Sequence, residues 1–387
     1  NIKMYFTDTP GLEETKNKLL KSIVDNKIAH AQLFYGKEGC AKLPLSIAYA
    51  RYLNCEKREK TDSCGHCMSC LKYDKLSHPD LHFVFPTVKK SSTKISISDN
   101  DVLRWREEVT ANPYITIEEW IETYGSENKT GKKGMIYKDE AVSIVEKTRL
   151  KNYESKYRVF LIWLPELMNL DASNKLLKII EEPPSGTVFL FVSKQPEELI
   201  ATVSSRLQKI KIRNFYLEEI KWFFKDYEKK ELNINYLVNL TKGNVGKIKK
   251  IINDKTEHLA FFDSFSSWMR LAYKMNVLDL TNWVNSIAQT GRNNQKLFLE
   301  YAIKMIRECV LVNFTDPSLA RVSEKEKQFV LNFSPFVHEK NSISIFEELE
   351  GAYKSIGRNA NPKIIFFDLS LKIGKCLKVK RKFVQNK

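Results

Sequence analysis

Short apolar runs alternate with amphipathic stretches through the first 213 residues of the chain. Uninterrupted apolar runs are typical of strands that are covered on both faces, as in a parallel sheet. They predict strands at 32–35, 81–85, 159–164, 187–193 and 209–212. Helical spacing of apolar residues predicts helices at 43–53, 139–149 and 171–182. Asp171 is suited to cap the third helix, and Pro183 would end it. This order predicts an α/β domain at residues 1–213, with a parallel sheet flanked by helices.

The pattern is interrupted between residues 89 and 135, where the sequence is mostly polar. Thr116 and Glu119 match a capping box, which predicts a helix within this segment. Glycine-rich residues 125–134 predict a flexible loop. We therefore interpret 89–135 as an insertion into the sheet domain, and its role is left open.

Strand signals vanish beyond residue 214. Helical spacing predicts a small helical unit at 214–255, with helices at 217–227, 234–241 and 245–252. The region 256–387 shows only helical signals of any strength. Two apolar stripes with helical spacing stand out there: Leu297, Tyr301, Met305 and Cys309, and then Ile365, Leu369, Ile373 and Cys376. Such stripes are typical of packing faces in a helix bundle, so the sequence predicts an α/β part followed by an all-α part.

Composition narrows the class of protein. The chain has 387 residues, too many for one ordinary core, and a mix of 43 % hydrophobic and 28 % charged residues that is normal for a globular protein. It shows no apolar run long enough to span a bilayer and no secretory signal, so we expect a cytoplasmic protein without membrane contact. The net charge of +16 favours contact with nucleic acid or simply keeps the surface soluble, and both interpretations stay open.

Four of the seven cysteines cluster as Cys55, Cys64, Cys67 and Cys70. The pattern C-x8-C-x2-C-x2-C lets two tight turns aim thiolates at one point, and a closed four-sulfur shell suits a structural Zn²⁺. An iron–sulfur cluster or reduced thiols without metal are the alternatives. The remaining cysteines are scattered and are expected to fill cores: Cys40, Cys309 and Cys376.

A glycine-rich loop follows the first predicted strand and precedes a helix, as a phosphate-binding loop requires. Gly36, Gly39 and Lys42 have the spacing of such a loop. Ala41 replaces the glycine before the lysine, and Leu43 replaces the hydroxyl residue that binds magnesium. We interpret the loop as vestigial; a chance pair of glycines in a strand–turn–helix is the alternative.

The acidic pair that holds magnesium and polarises water in a P-loop ATPase is also missing. It would stand at the end of the buried strand that begins at Val159, where the chain has Trp163 and Leu164. Glu166 lies nearby but is displaced along the chain. The sequence therefore predicts that this chain does not hydrolyse ATP.

The order of these motifs resembles that of the bacterial clamp-loader ATPases, an AAA+ family of DNA polymerase III. The motifs that carry the resemblance are the cysteine cluster and these segments: Ile28–Ala31, His78–Asp80, Ala172–Lys178, Glu181–Pro184 and Ser205-Arg206. They cover roughly the first 250 residues apart from the insertion.

The resemblance implies a sheet domain at 1–213 with a zinc module at about 55–70, a helical lid at 214–255 and an oligomerising collar at 256–387. It implies a complex with gamma/tau and delta subunits that places a sliding clamp on primed DNA. The departures at the phosphate loop are those of the family's delta-prime type, which is not an enzyme by itself. Arg206 then matches the arginine that enters a neighbouring ATP site, and Gly246 replaces the arginine of the lid.

Two rival interpretations remain. One is a gamma/tau-type subunit that hydrolyses ATP at a divergent site; Leu43, Trp163 and Leu164 oppose it. The other is a zinc-containing DNA-binding protein. Its difficulty is that no helix rich in Arg, Asn or Gln adjoins the cysteines to read bases.

Overall fold

The computed structural model of the chain describes residues 4–89, 96–125, 134–225, 234–253, 255–314, 322, 324–358 and 360–379. Two compact units are present. One comprises Asn1–Leu232 with Gly243–Lys247, and the other comprises Asn233–Lys242 with Ile248–Lys387. The first unit contains a sheet flanked by helices, and the second consists of helices. Most of the predicted loop at 125–134 and of the basic tail at 378–387 lies outside the described residues.

The sheet of the first unit is fully parallel, as predicted. Its strands are β1 (Ala31–Tyr35), β2 (Leu81–Val84), β3 (Arg158–Trp163), β4 (Thr187–Ser193) and β5 (Gln208–Lys211). They lie in the order β2-β3-β4-β1-β5, and every neighbouring pair is parallel. All residues of β3 and β4 are buried. Helices on both faces of the sheet explain why these strands appear in the sequence as uninterrupted apolar runs.

The helices of the first unit lie before, between and after these strands. They are α1 (Glu13–Val24), α2 (Lys42–Asn54), α3 (Met68–Asp74), α4 (Val102–Ala111), α5 (Ile117–Glu122), α6 (Lys138–Arg149), α7 (Leu170–Glu181), α8 (Ala201–Ser204) and α9 (Leu217–Phe223). The predicted capping box at α5 is confirmed: the Glu119 N–H donates to Thr116 Oγ1 at 3.2 Å, and the Thr116 N–H donates to Glu119 Oε2 at 2.9 Å.

The predicted cap of α7 is wrong by two residues. Asn169, not Asp171, caps this helix, and its Oδ1 accepts the Ala172 N–H at 2.8 Å. Asn169 has the extended backbone that an N-cap requires, whereas Asp171 lies inside the first turn. There its negative charge still interacts favourably with the positive end of the helix dipole.

Among the described residues of the second unit, the regular secondary structure is entirely helical. Its helices are α10 (Ile234–Thr241), α11 (Val245–Asn253, which begins in the first unit), α12 (Lys255–Lys274), α13 (Val277–Gln289), α14 (Arg292–Phe314), α15 (Glu324–Phe333), α16 (Ser342–Gly357) and α17 (Pro362–Leu377). Of the predicted stripe, Tyr301, Met305 and Cys309 are buried, as expected for a packing face, and Leu297 is partly buried. Trp268 and Trp283 stack in the same core with ring centroids 5.0 Å apart. Among the described helices, none has the length and apolar character that a membrane crossing requires.

Candidate functional site

The glycine-rich loop joins β1 to α2 at the carboxyl edge of the sheet, where parallel α/β proteins bind ligands. The Gly36 N–H donates to the Ser193 carbonyl at 3.4 Å, which ties the loop to the end of β4. Lys42 is 7 % exposed, and its Nζ donates to the Lys37 carbonyl at 2.9 Å. The ammonium group therefore bonds to the loop itself. Leu43 is buried and offers no oxygen to a metal ion.

Gly39 has a φ of +83°, a left-handed conformation that favours glycine. A Cβ atom at this position would collide with the side chain of Asn244. Asn244 Nδ2 also donates to Glu38 Oε1 at 3.3 Å, so this asparagine lies directly against the loop. Gly39 thus allows close packing of the segment 243–247 on the loop.

The end of β3 carries apolar side chains where an ATPase would hold magnesium. Trp163 is buried, and its ring lies 4.8 Å from that of Trp105 in α4. Glu166 has a structural role, because its Oε1 accepts the N–H groups of Lys194 at 3.0 Å and Gln195 at 3.3 Å. Burial raises the pKa of Glu166. This carboxyl group therefore holds the loop after β4.

Residues of the insertion cover this edge of the sheet. Trp105 stacks on Phe85, which follows β2, at 4.5 Å, and it contacts Trp120 edge-to-face at 5.2 Å. Trp120 Nε1 donates to the Pro86 carbonyl at 2.7 Å. Both tryptophans are fully buried. This cluster was not predicted, although two tryptophans in an otherwise polar segment were a signal of burial.

A buried carboxyl group anchors the start of the insertion. Glu140 of α6 is 2 % exposed, and its Oε2 accepts the Ser98 N–H at 2.5 Å. Ser98 Oγ accepts the Phe85 N–H at 2.9 Å, so Glu140, Ser98 and the end of β2 are linked. Burial raises the pKa of Glu140 from its ordinary 4.5 to about 7.

The replacement Glu140→Gln is expected to alter how stability depends on pH. Because the folded-state pKa is raised, the contribution of Glu140 is complete below pH 4.5 and is lost as pH rises through about 7. The glutamine variant does not titrate here and loses nothing, so the difference in unfolding free energy, variant minus wild type, should rise by ~2 kcal/mol from pH 5 to pH 8. Urea unfolding at both pH values measures this. Exposed Glu146 of the same helix provides the control, Glu146→Gln. Equal pH profiles for wild type and Glu140→Gln would contradict the prediction.

The four predicted metal ligands lie together. The sulfur atoms of Cys55, Cys64, Cys67 and Cys70 are all within 4.8 Å of one another. Three of the sulfur–sulfur distances are 3.6, 3.7 and 4.0 Å. Sulfurs placed tetrahedrally at about 2.3 Å from one Zn²⁺ would be ~3.8 Å apart. The residues thus fit a single tetrahedral ion, whereas the four thiolates of an iron–sulfur cluster are divided among two or four irons and cannot all be this close to one another.

Backbone N–H groups point at the sulfurs of this cluster. Cys64 N donates to Cys55 Sγ, Cys67 N to Cys64 Sγ and Cys70 N to Cys67 Sγ, each at 3.4 Å. Burial opposes ionisation of Cys64, yet N–H groups from residues 66 and 67 outweigh it and lower the pKa to about 6. Burial raises the pKa of Cys55 and Cys70. Such a set of partly buried thiols is suited to deprotonation by a bound cation.

The cysteine segment also supports the amino-terminal segment of the described chain. Asp62 Oδ2 accepts both the N–H and the Oγ1 hydroxyl of Thr7 at 2.9 Å. Tyr5 donates from its hydroxyl to Asp74 at 3.2 Å, and its ring lies 3.9 Å from the guanidinium carbon of Arg51. Arg51 is fully buried and pairs with Asp74 at 2.8 Å. The metal candidate is therefore coupled to α2, α3 and residues 5–7.

Arg206 lies two residues after the end of α8, beyond its C-cap Ser205. Its Nη2 is 2.5 Å from Glu181 Oε1, and its Nη1 donates to the Thr202 carbonyl at 2.6 Å. The side chain is 32 % exposed. Two segments singled out in the sequence, Glu181–Pro184 and Ser205-Arg206, thus meet through this ion pair. The pairing was not predictable from local pattern, because the two residues are distant along the chain.

The segment His78–Asp80 has a local structural role. Asp80 accepts backbone N–H groups of Tyr153 at 2.7 Å and of Glu154 and Ser155 at 2.9 Å. Burial opposes ionisation of Asp80, but these bonds hold its pKa below the usual value. The carboxylate thereby orders the chain just before β3.

A parallel five-stranded sheet with a glycine-rich loop after β1 defines the class of P-loop-type α/β proteins. Residues 11–216 match the protein family described as "DNA polymerase III, delta subunit". The chain belongs to this family of clamp-loader AAA+ proteins.

Individual relatives are similar at modest identity. Subunit tau of DNA polymerase III from Bacillus subtilis is 22 % identical over 384 residues, covering 93 % of this chain and 60 % of that protein. Subunit delta' of the same organism is 27 % identical over 192 residues, covering 50 % and 44 %. Subunit delta' of Escherichia coli is 26 % identical over 197 residues, covering 51 % and 46 %. The chain thus spans about half the length of these relatives.

A solved structure of a gamma-subunit-related protein of DNA polymerase III from Thermotoga maritima aligns with a TM-score of 0.42 at 13 % identity. The alignment covers 94 % of this chain and 100 % of that one.

Proposed function

We propose that this chain is a non-hydrolysing, delta-prime-type subunit of the DNA polymerase III clamp loader. The observation that carries the proposal is the end of β3, where Trp163 packs against Trp105 instead of offering a carboxylate to magnesium. Leu43 in the glycine-rich loop supplies no hydroxyl either. Phosphoryl transfer at a P-loop requires Mg²⁺ held by oxygen ligands, and at these two positions the chain supplies none.

Its contribution to catalysis is made across a subunit contact. Arg206 enters the ATP site of an adjacent gamma/tau subunit, where its guanidinium neutralises charge on the transferring phosphoryl group. The partial exposure of Arg206 and its ion pair with Glu181 support this role, because the pair holds the guanidinium in a defined orientation at the surface. A partly exposed ion pair of this kind contributes little stability by itself, so the arginine can exchange partners at small cost.

The rest of the proposal follows the three-part organisation. Residues 214–255 act as a lid and 256–387 as a collar that holds the chain to gamma/tau and delta subunits. The assembled loader opens the sliding clamp and places it on primed DNA. One structural Zn²⁺ is held by Cys55, Cys64, Cys67 and Cys70, whose sulfur separations support a single ion. The closed four-sulfur shell leaves no position for a substrate.

The replacement Arg206→Ala tests the proposed function in a reconstituted loader. Clamp-stimulated ATP hydrolysis by the whole complex should fall by roughly twofold, because only the site that faces this chain loses its arginine. Arg206→Lys should not restore the rate, since an ammonium group lacks the bidentate geometry. Exposed Arg149 provides the matched control, Arg149→Ala. Metal content and melting temperature of the isolated chain should stay unchanged in every variant.

Two outcomes would refute the proposal. Unchanged hydrolysis in the Arg206→Ala complex would remove the trans-acting arginine. ATP turnover by the isolated wild-type chain that disappears in Lys42→Ala would instead establish a gamma/tau-type ATPase with a divergent site.

A further inference from the structure

We propose that residues 97–125 form an internal plug, which fills the carboxyl edge of the sheet and keeps nucleotide out of this chain by steric means. The inference rests on the proposed function, since it concerns the same site. It goes further in two respects. It assigns a role to the insertion, and it gives a steric reason for nucleotide exclusion that does not depend on the altered phosphate loop.

The first part of the plug covers the ends of β2 and β3. Trp105 lies between Phe85 and Trp163, at 4.5 and 4.8 Å from their rings. Trp120 closes the cluster with a ring contact to Phe85 at 5.0 Å and a contact to Tyr124 at 5.5 Å. In a working site this edge would be polar and open to Mg²⁺ and water. Here it is an aromatic core.

The second part of the plug is Tyr114, which lies between α4 and α5. Its ring contacts Phe215 at 6.2 Å and Phe223 at 5.8 Å, both edge-to-face. The residue is 5 % exposed, and burial raises the pKa of its hydroxyl well above the ordinary value.

The absence of a side chain at Gly246 leaves room for Tyr114. A Cβ atom at residue 246 would lie 2.9 Å from the Tyr114 carbonyl oxygen and 3.0 Å from its Cβ. Any larger side chain here, including the arginine that the family resemblance leads one to expect, would therefore collide with Tyr114. Asn244 of the same segment contacts Gly39 of the loop. Plug, segment 243–247 and glycine-rich loop thus form one packed assembly.

Both ends of the plug are tied to the sheet unit. At its start, Ser98 bonds to Phe85 and Glu140. At its end, Tyr124 donates to Asp101 Oδ2 at 2.9 Å, so the two ends also bond to each other. Between them, Asn112 Oδ1 accepts the Tyr114 N–H at 3.2 Å and stabilises the turn that carries Tyr114. Bonds at start, middle and end indicate a permanent filling rather than a lid.

The test distinguishes two possible causes of absent nucleotide binding: steric exclusion by the plug and the altered residues of the phosphate loop. In the full chain, Ala41→Gly with Leu43→Thr restores the residue types of a working phosphate loop. We expect this repaired chain to show no saturable binding of fluorescent mant-ATP with Mg²⁺ up to about 1 mM. Adding Tyr114→Ala should tighten binding by about tenfold or more, because it vacates space beside the loop. Tyr153→Ala, at a tyrosine that is 80 % exposed, is the matched control in the same background.

Each outcome decides the question. Binding by the repaired chain with Tyr114 in place, as tight as without it, would overturn the plug. If neither chain binds, amide hydrogen exchange decides: residues 97–125 protected as strongly as β3 support a permanent filling, and exchange at unfolded-chain rates overturns it. The plug can fail while the Arg206→Ala result stands, and the reverse is also true, because one experiment measures nucleotide binding by the isolated chain and the other measures hydrolysis by the complex.

Discussion

Removal of the proposed Zn²⁺, or replacement of Cys70 by alanine, is expected to unfold the cysteine segment and lower the unfolding free energy of the sheet unit by ~4 kcal/mol or more. Cys70 is fully buried, with its sulfur 3.7 Å from that of Cys55. The cluster consists of three buried cysteines packed with the partly buried Cys64. A core this small contributes little stability to its segment, so we expect the segment to depend on the free energy of metal binding.

The consequences should spread along defined contacts. Because Asp62 holds Thr7 and the ring of Tyr5 lies beside Gly65, the amino-terminal residues should lose hydrogen-exchange protection together with the cysteine segment. The second unit should keep its protection. Metal analysis of the wild type should find one zinc per chain, and Cys376→Ala should retain it, since Cys376 lies outside the cluster. A metal-free chain with unchanged melting temperature and exchange would contradict the prediction.

Local chemistry made much of the fold predictable. Strand β4 was predicted to the residue, and the other strand boundaries differ from the prediction by one residue at most. A strand buried on both faces needs apolar residues throughout, so its bounds are visible in the sequence. The cysteine cluster was predictable for a similar reason, because its ligands are close along the chain and their type admits few roles.

Other features depend on residues that meet only after folding. Helix α1 was not predicted: Leu12 stands at its N-cap position and provides no side-chain cap. The contact between Tyr114 and Gly246 joins segments that are far apart along the chain, so no local sequence pattern predicts it. The same holds for Arg206 and Glu181, although each belonged to a segment that the resemblance had singled out. The sequence thus indicated which residues matter there, and the fold supplied their pairing.

The aromatic cluster at the end of the sheet provides the second large effect. Trp105→Ala is expected to cost about 4 kcal/mol of unfolding free energy, because it removes a fully buried indole and leaves a cavity. Trp105→Phe should lose less than half as much, since it keeps a ring against Phe85. It also removes the Nε1–H group, which has no hydrogen-bond partner among the described residues. Guanidinium unfolding of the full chain measures both.

The control is Trp222→Ala, at a tryptophan of the same unit that is 48 % exposed; its cost should stay below about 1 kcal/mol. Equal losses for Trp105→Ala and Trp222→Ala would show that Trp105 is not part of a packed core. If the cluster packs as described, the loss should also appear as faster hydrogen exchange in β2 and β3 before other strands are affected, because Phe85 and Trp163 lie at the ends of those two strands. The insertion would then stabilise the very edge of the sheet that a nucleotide stabilises in ATP-binding proteins of this fold, which is why we expect the chain to need no nucleotide to stay folded.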